Sequence, residues 1–107
     1  MGRETDRLPA AARTHQMIQI TAIRLMGGTS HRQITDVQWR SASTSTGKST
    51  RDAIVEWLSV SSDNHAVVVN GPERVAVAVV LRPDEQPYIR ACAEGVWTDH
   101  LLALPTF

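Results

Sequence analysis

Apolar and polar side chains alternate along much of this chain, and the alternation breaks at residues that favour turns. Ile18-Gln-Ile-Thr-Ala-Ile-Arg-Leu-Met is rich in β-branched residues and stops at Gly27-Gly28, which predicts a strand closed by a turn. Ile34-Thr-Asp-Val-Gln-Trp-Arg predicts a second strand, and the polar stretch from Ser41 to Gly47 reads as a loop. The period then changes. Ala53, Ile54, Trp57 and Leu58 fall on one helical face, while Arg51, Asp52 and Glu56 fall on the other. Ser49 stands three residues ahead of Asp52, so a short helix capped near Ser49 is expected. After a loop from Ser59 to Asn64, Ala66–Val69 and Val75–Leu81 read as strands joined through Asn70-Gly71-Pro72-Glu73. Asn-Gly is a strong hairpin signal, although Pro72 argues against a simple two-residue turn. Pro83 to Pro87 turns the chain into a Tyr88-Ile-Arg strand, followed by a Glu94-Gly95 turn and a polar link. An apolar Leu101-Leu-Ala-Leu104 clamp, stopped by Pro105, closes the pattern. The expected fold is α+β: a small, mostly antiparallel sheet with one short amphipathic helix packed on it.

The strand from Val75 to Val80 has no polar face, since valines hold the odd positions and Ala76, Ala78 and Val80 the even ones. Both faces should therefore be covered. The helix and the clamp can do this within one chain, but the expectation is a homo-oligomer, in which a second subunit covers one face and the alanines allow its close approach. Residues 1–16 are charged, alanine-rich and interrupted by Pro9, and they read as a disordered tail ahead of a single domain over 17–107, with Met17 an alternative start. At 107 residues there is room for one core.

Charge narrows the function classes. Eleven cationic and eleven anionic side chains cancel, so a general nucleic-acid binder is not expected. Ten of the cations are arginines, whose planar forks suit carboxylates and phosphates, but they are scattered along the chain. A lone cysteine, Cys92, excludes an internal disulfide and fits a reducing compartment. Neither a signal peptide nor a run of roughly 20 apolar residues is present, which makes cytoplasmic residence the expectation and gives no reason to expect membrane contact.

The motifs that suggest chemistry are incomplete. Ala42-Ser-Thr-Ser-Thr-Gly-Lys-Ser49 spells a loose phosphate-loop pattern, with alanine in place of the first glycine. Such loops work within a parallel sheet with several crossover helices and a magnesium-binding acid, which the rest of the sequence does not supply. His15, His31, His65 and His100 share no metal-ligand spacing. Cys92, His100 and Asp99 can be drawn as a nucleophile set, but Asp99 and His100 are neighbours that would point to opposite sides of an extended segment, and a small packed cysteine is the preferred reading of Cys92. No enzyme, metal or cofactor is expected.

A binding cluster is more coherent. Tyr88 and Arg90 share a strand face, and Trp97, Thr98, Asp99 and His100 follow closely. Together they offer stacking, a cationic fork and hydrogen-bonding groups for a nucleotide-sized anion. The alternative is an aromatic core with Arg90 paired to an acid such as Glu94.

Ile20-Thr-Ala-Ile-Arg24, Ile34-Thr-Asp-Val37, the capped helix, Tyr88-Ile-Arg90, Glu94-Gly95 and the Leu101…Leu104-Pro105 close carry a resemblance. Over residues 18–107 the chain resembles a small bacterial and phage family of unknown function. Glu94 stands where that family usually has aspartate, and Asp99-His100 where it has two asparagines. The same pattern is similar to the phage Thoeris anti-defence sponges, oligomers that bind cyclic ADP-ribose-type immune signals without cleaving them. That resemblance implies a non-enzymatic binder in host cytoplasm, with ligand contacts at Tyr88, Arg90, Asp99 and His100 and a phosphate partner at Arg24. A protein-interaction module is the other class left open.

Overall fold

The computed structural model describes residues 17–41 and 46–107, so the expected tail at 1–16 and the centre of the Ser41–Gly47 segment lie outside the described residues. The strands are β1 (Met17–Leu25), β2 (Ile34–Ser41), β3 (Thr46–Thr50), β4 (His65–Asn70), β5 (Glu73–Val80), β6 (Tyr88–Ala93) and β7 (Val96–Thr98). One helix, α1 (Arg51–Val60), follows β3, and a single 3-10 turn (His31–Gln33) precedes β2. The strands form one sheet in the order β3-β2-β1-β4-β5-β6-β7. Every neighbouring pair is antiparallel except β1 with β4, which β2, β3 and α1 separate in sequence.

Alternation explains the core. Ile18, Ile20 and Ile23 of β1 pair with Ser41, Trp39 and Val37 of β2, and a register shift at Thr21 brings Ile23 back to the inner face. Val68, Val77, Ile89, Ile54, Trp57 and Leu101 join them in one buried cluster. Helix α1 packs across β2, β3, β5 and β6 with Ile54 and Trp57 inward. Its cap is Thr50, whose hydroxyl accepts from Ala53 N at 3.1 Å, one residue later than the expected Ser49. Ser49 is fully buried and accepts the Trp39 indole N–H at 3.0 Å, so a tertiary bond takes it away from the helix end. At the far end, Asn64 Nδ2 donates to Trp57 O at 2.7 Å and satisfies one of the carbonyls a helix leaves open.

Three expectations for the strands are corrected. Thr46 and Gly47 belong to β3 and not to a loop, and the polar link after Glu94-Gly95 contains β7. Gly71-Pro72 is a two-residue hairpin loop after all, because Asn70 pairs with Glu73. Gly71 takes φ +61°, the glycine-first pattern of a II′ turn, and proline's fixed negative φ suits the second place. Glu94 and Gly95 both have positive φ, as a I′ turn requires. The β5 faces also differ: Val75 and Val77 are buried on the helix side, whereas Ala76 on the opposite face is exposed.

The chain ends by returning to β1. A turn carries Leu104 N to Leu101 O at 3.2 Å, then Ile23 N donates to Pro105 O and Phe107 N to Ile23 O, each at 3.0 Å. This segment occupies the edge of β1 beyond the three residues that β4 pairs.

Candidate functional site

Register arithmetic places the expected site residues. Ala91 pairs with Thr98 across the β6–β7 hairpin, so Arg90 and Asp99 come next on opposite sides. Arg90 Nη2 donates to Asp99 Oδ1 at 3.0 Å and Arg90 Nε to Thr98 O at 3.1 Å. Asp99, and not Glu94, is thus the acid that holds Arg90. The guanidinium stays partly open, with 29% of its side chain exposed. His100 adjoins this pair: its Nδ1 lies 2.6 Å from Thr98 Oγ1, and its Nε2 lies 3.8 Å from Glu73 Oε1.

Tyr88 and Arg24 are placed differently. Tyr88 is 6% exposed, its hydroxyl accepts from Arg82 Nε at 3.5 Å, and the Arg32 guanidinium lies 5.9 Å from its ring centroid. Arg32 is itself paired with Glu85 at 3.0 Å. The Tyr88 ring is therefore a packed anchor under Arg32 and not an open stacking surface. Arg24 does not join the cluster. Its Nε donates to Phe107 O at 3.2 Å and its guanidinium sits 4.8 Å from the Phe107 ring centroid, where the end of the chain meets β1.

Sequence reasoning missed His31. The 3-10 turn is capped by Ser30 and Gln33, and it lays His31 against β6 with 7% of its surface exposed. Its Nε2 has no hydrogen-bond partner and lies 3.9 Å from Asp99 Oδ1, too long for a bond. Burial first, then the nearby Arg90 charge, lowers the His31 pKa below 6.5, and Asp99 only partly offsets this. A lone histidine after Gly27-Gly28 carries no spacing signal, so only the fold reveals it.

The sign of the pH effect follows. His31 is neutral in the fold and titrates normally when unfolded, so its contribution is fully present above about pH 6.5. It is lost as pH falls from there through the lower folded value. The melting temperature should drop between pH 7.5 and 5.5, and His31→Gln should flatten that drop. An imidazole resonance for His31 titrating at or above the ordinary value would refute the assignment.

No group of three or more potential metal ligands occurs among the described residues. Gly47, Lys48 and Ser49 lie in β3 ahead of α1, and the Lys48 ammonium sits 5.8 Å from the Phe107 ring centroid, so this part of the phosphate-loop-like run is strand. No helix among the described residues is long and apolar enough to cross a membrane.

Compared with known families, residues 19–105 match the family described as protein of unknown function (DUF3892), and the chain belongs to that family. No curated protein and no solved structure matches it.

Proposed function

We propose that this DUF3892 chain is a non-enzymatic binder that sequesters a phosphate-bearing cyclic nucleotide of the cyclic ADP-ribose type, as an anti-defence sponge does. The observation that carries the reading is the buried, unsatisfied His31 Nε2 facing the Arg90–Asp99 pair. Buried polar atoms are nearly always hydrogen-bonded, and an orphan beside a half-open guanidinium is what a site awaiting a ligand leaves. Arg90 would supply the phosphate fork, with Asp99 and His100 as hydrogen-bonding neighbours. The exposed Ala76 leaves a low surface on the face away from α1, which suits close approach of a second copy in a homo-oligomer.

A thermal-shift panel of cyclic nucleotides and ADP-ribose isomers tests this. Ligand at a hundred times Kd stabilises the fold by about 2.7 kcal/mol, a rise of roughly 10–20 °C in a domain of this size. The compound should be recovered intact, and Arg90→Ala should abolish the rise. No shift across the panel, or a cleaved product, would overturn the proposal.

One observation favours a protein-interaction module instead. β7 lies at the end of the sheet order, and Val96 and Trp97 on it are 64% and 39% exposed. A partner strand could add there. That reading predicts no small-molecule response and capture of one protein species.

A further inference from the structure

The face opposite α1 carries a second feature, separate from the Arg90 cluster. Arg40, Gln19, Val67, Ala76, Cys92 and Trp97 follow one another in register across β2, β1, β4, β5, β6 and β7. They form one continuous row of side chains on that face. At the Arg40 end lies a cavity of about 100 Å³, lined by Met17, Gln19, Arg40, Val67 and Arg74 with Ile18 and Ser41. No acidic residue lines it.

Two guanidiniums from different strands therefore meet at one hollow without a counter-charge. Arg40 Nη2 donates only a long 3.4 Å bond to Gln19 Oε1, and Arg74 Nη1 lies 4.0 Å from the Met17 sulfur. Neither arginine enters any ion pair among the described residues, whereas Arg32, Arg51 and Arg90 each have a carboxylate. Like charges brought together repel, and an anion between them reverses the sign of that interaction. The guanidinium fork matches tetrahedral oxyanions in geometry as well as charge. Size narrows the class further. The cavity is well below the roughly 300–1,000 Å³ of a pocket that encloses a whole drug-sized ligand. It fits one phosphate group.

We propose that the Gln19–Arg40–Arg74 hollow is a binding site for a single phosphate-type oxyanion, taken either as free phosphate or as the phosphate of a larger monoester lying along the sheet face. Arg40 and Arg74 supply the charge, the Gln19 side chain hydrogen-bonds an anion oxygen through its amide N–H once Arg40 releases its carbonyl, and Val67 forms the apolar floor.

The test uses the full chain, labelled with ¹⁵N, titrated with inorganic phosphate and separately with adenosine 5′-monophosphate at constant ionic strength. Constant salt removes the general screening response. Saturable shifts of the Arg40 and Arg74 Nε–Hε signals are expected with phosphate. Removing one charged donor should weaken binding by about tenfold or more, so R40Q and R74Q should each do so, while R90A leaves it unchanged. Both substituted side chains lie in exposed residues, and circular dichroism melts confirm that the variants fold. Much tighter binding of the monophosphate would identify a phosphomonoester as the ligand, and equal affinity would identify free phosphate. Absence of a saturable shift with either anion, or saturable backbone amide shifts at the lining residues Gln19 and Val67 that persist in the R40Q/R74Q double variant, would overturn the site. Because R90A separates the two locations, failure here leaves the nucleotide reading of Arg90 standing, and the reverse also holds.

Discussion

Leu101→Ala should lower the unfolding free energy by about 2–5 kcal/mol, the range for removing a fully buried leucine whose cavity cannot collapse. Leu101 has no exposed surface and belongs to the main core, although only four residues separate it from Thr106 at the strand-like close of the chain. It pins two things at once. Ahead of it, Asp99 and His100 hold Arg90 and Thr98. Behind it, Pro105 and Phe107 exchange backbone bonds with Ile23, on a stretch of β1 that β4 does not pair. Against a typical domain stability of roughly 5–15 kcal/mol, this loss removes a large share. Urea unfolding should show a lower midpoint with an unchanged slope. Hydrogen exchange at the Ile23 amide, which donates to Pro105 O, should accelerate along with it. Leu101→Met, which keeps the volume, should cost less than about 1.5 kcal/mol. A loss below about 1 kcal/mol for the alanine variant would mean that the clamp does not anchor the fold.

The elements that alternation could reach were the ones with an apolar face. Ile18 to Leu25, Ile34 to Arg40 and Tyr88 to Arg90 stand out in the sequence because every second residue has to be buried. β3 does not stand out, since Thr46-Gly-Lys-Ser-Thr50 contains no apolar side chain and fills its inner positions with a glycine and a hydroxyl. The helix face was readable, but its cap was not, because Ser49 and Thr50 are chemically interchangeable until Trp39 claims one of them. The site divides in the same way. Arg90 opposite Asp99 follows from counting outward from the Glu94-Gly95 turn, so that pairing lay within reach of the sequence. His31 and Arg24 did not, because their partners arrive through non-local returns of the chain, the 3-10 turn onto β6 and Phe107 onto β1. The Arg40–Arg74 hollow depends on the parallel β1–β4 pairing, which no local pattern announces.

Gly47→Ala should destabilise the fold by about 1–3 kcal/mol through overpacking, the opposite of the usual benefit of replacing glycine inside a strand. A Cβ at Gly47 would lie 2.6 Å from Trp39 Cζ2 and 3.0 Å from Cε2, closer than atoms can approach without movement. The ring has little freedom to move. Trp39 is 1% exposed, and its indole N–H is bonded to the buried Ser49 hydroxyl two residues along the same strand as Gly47. Shifting the ring would break that bond and leave a buried hydroxyl and a buried indole N–H without partners, at about 1–3 kcal/mol for each unsatisfied group. Gly47 and Ser49 thus act as one receptor for Trp39, the glycine making room for the ring and the serine fixing its polar edge. For a domain of this size the melting temperature should fall by roughly 4–8 °C per kcal/mol lost. A double-mutant cycle isolates the cause: in a Trp39→Leu background, already weakened by the lost ring, Gly47→Ala should become neutral or mildly stabilising. Equal penalties in both backgrounds would show that the glycine is required for its backbone and not for the space it leaves to Trp39.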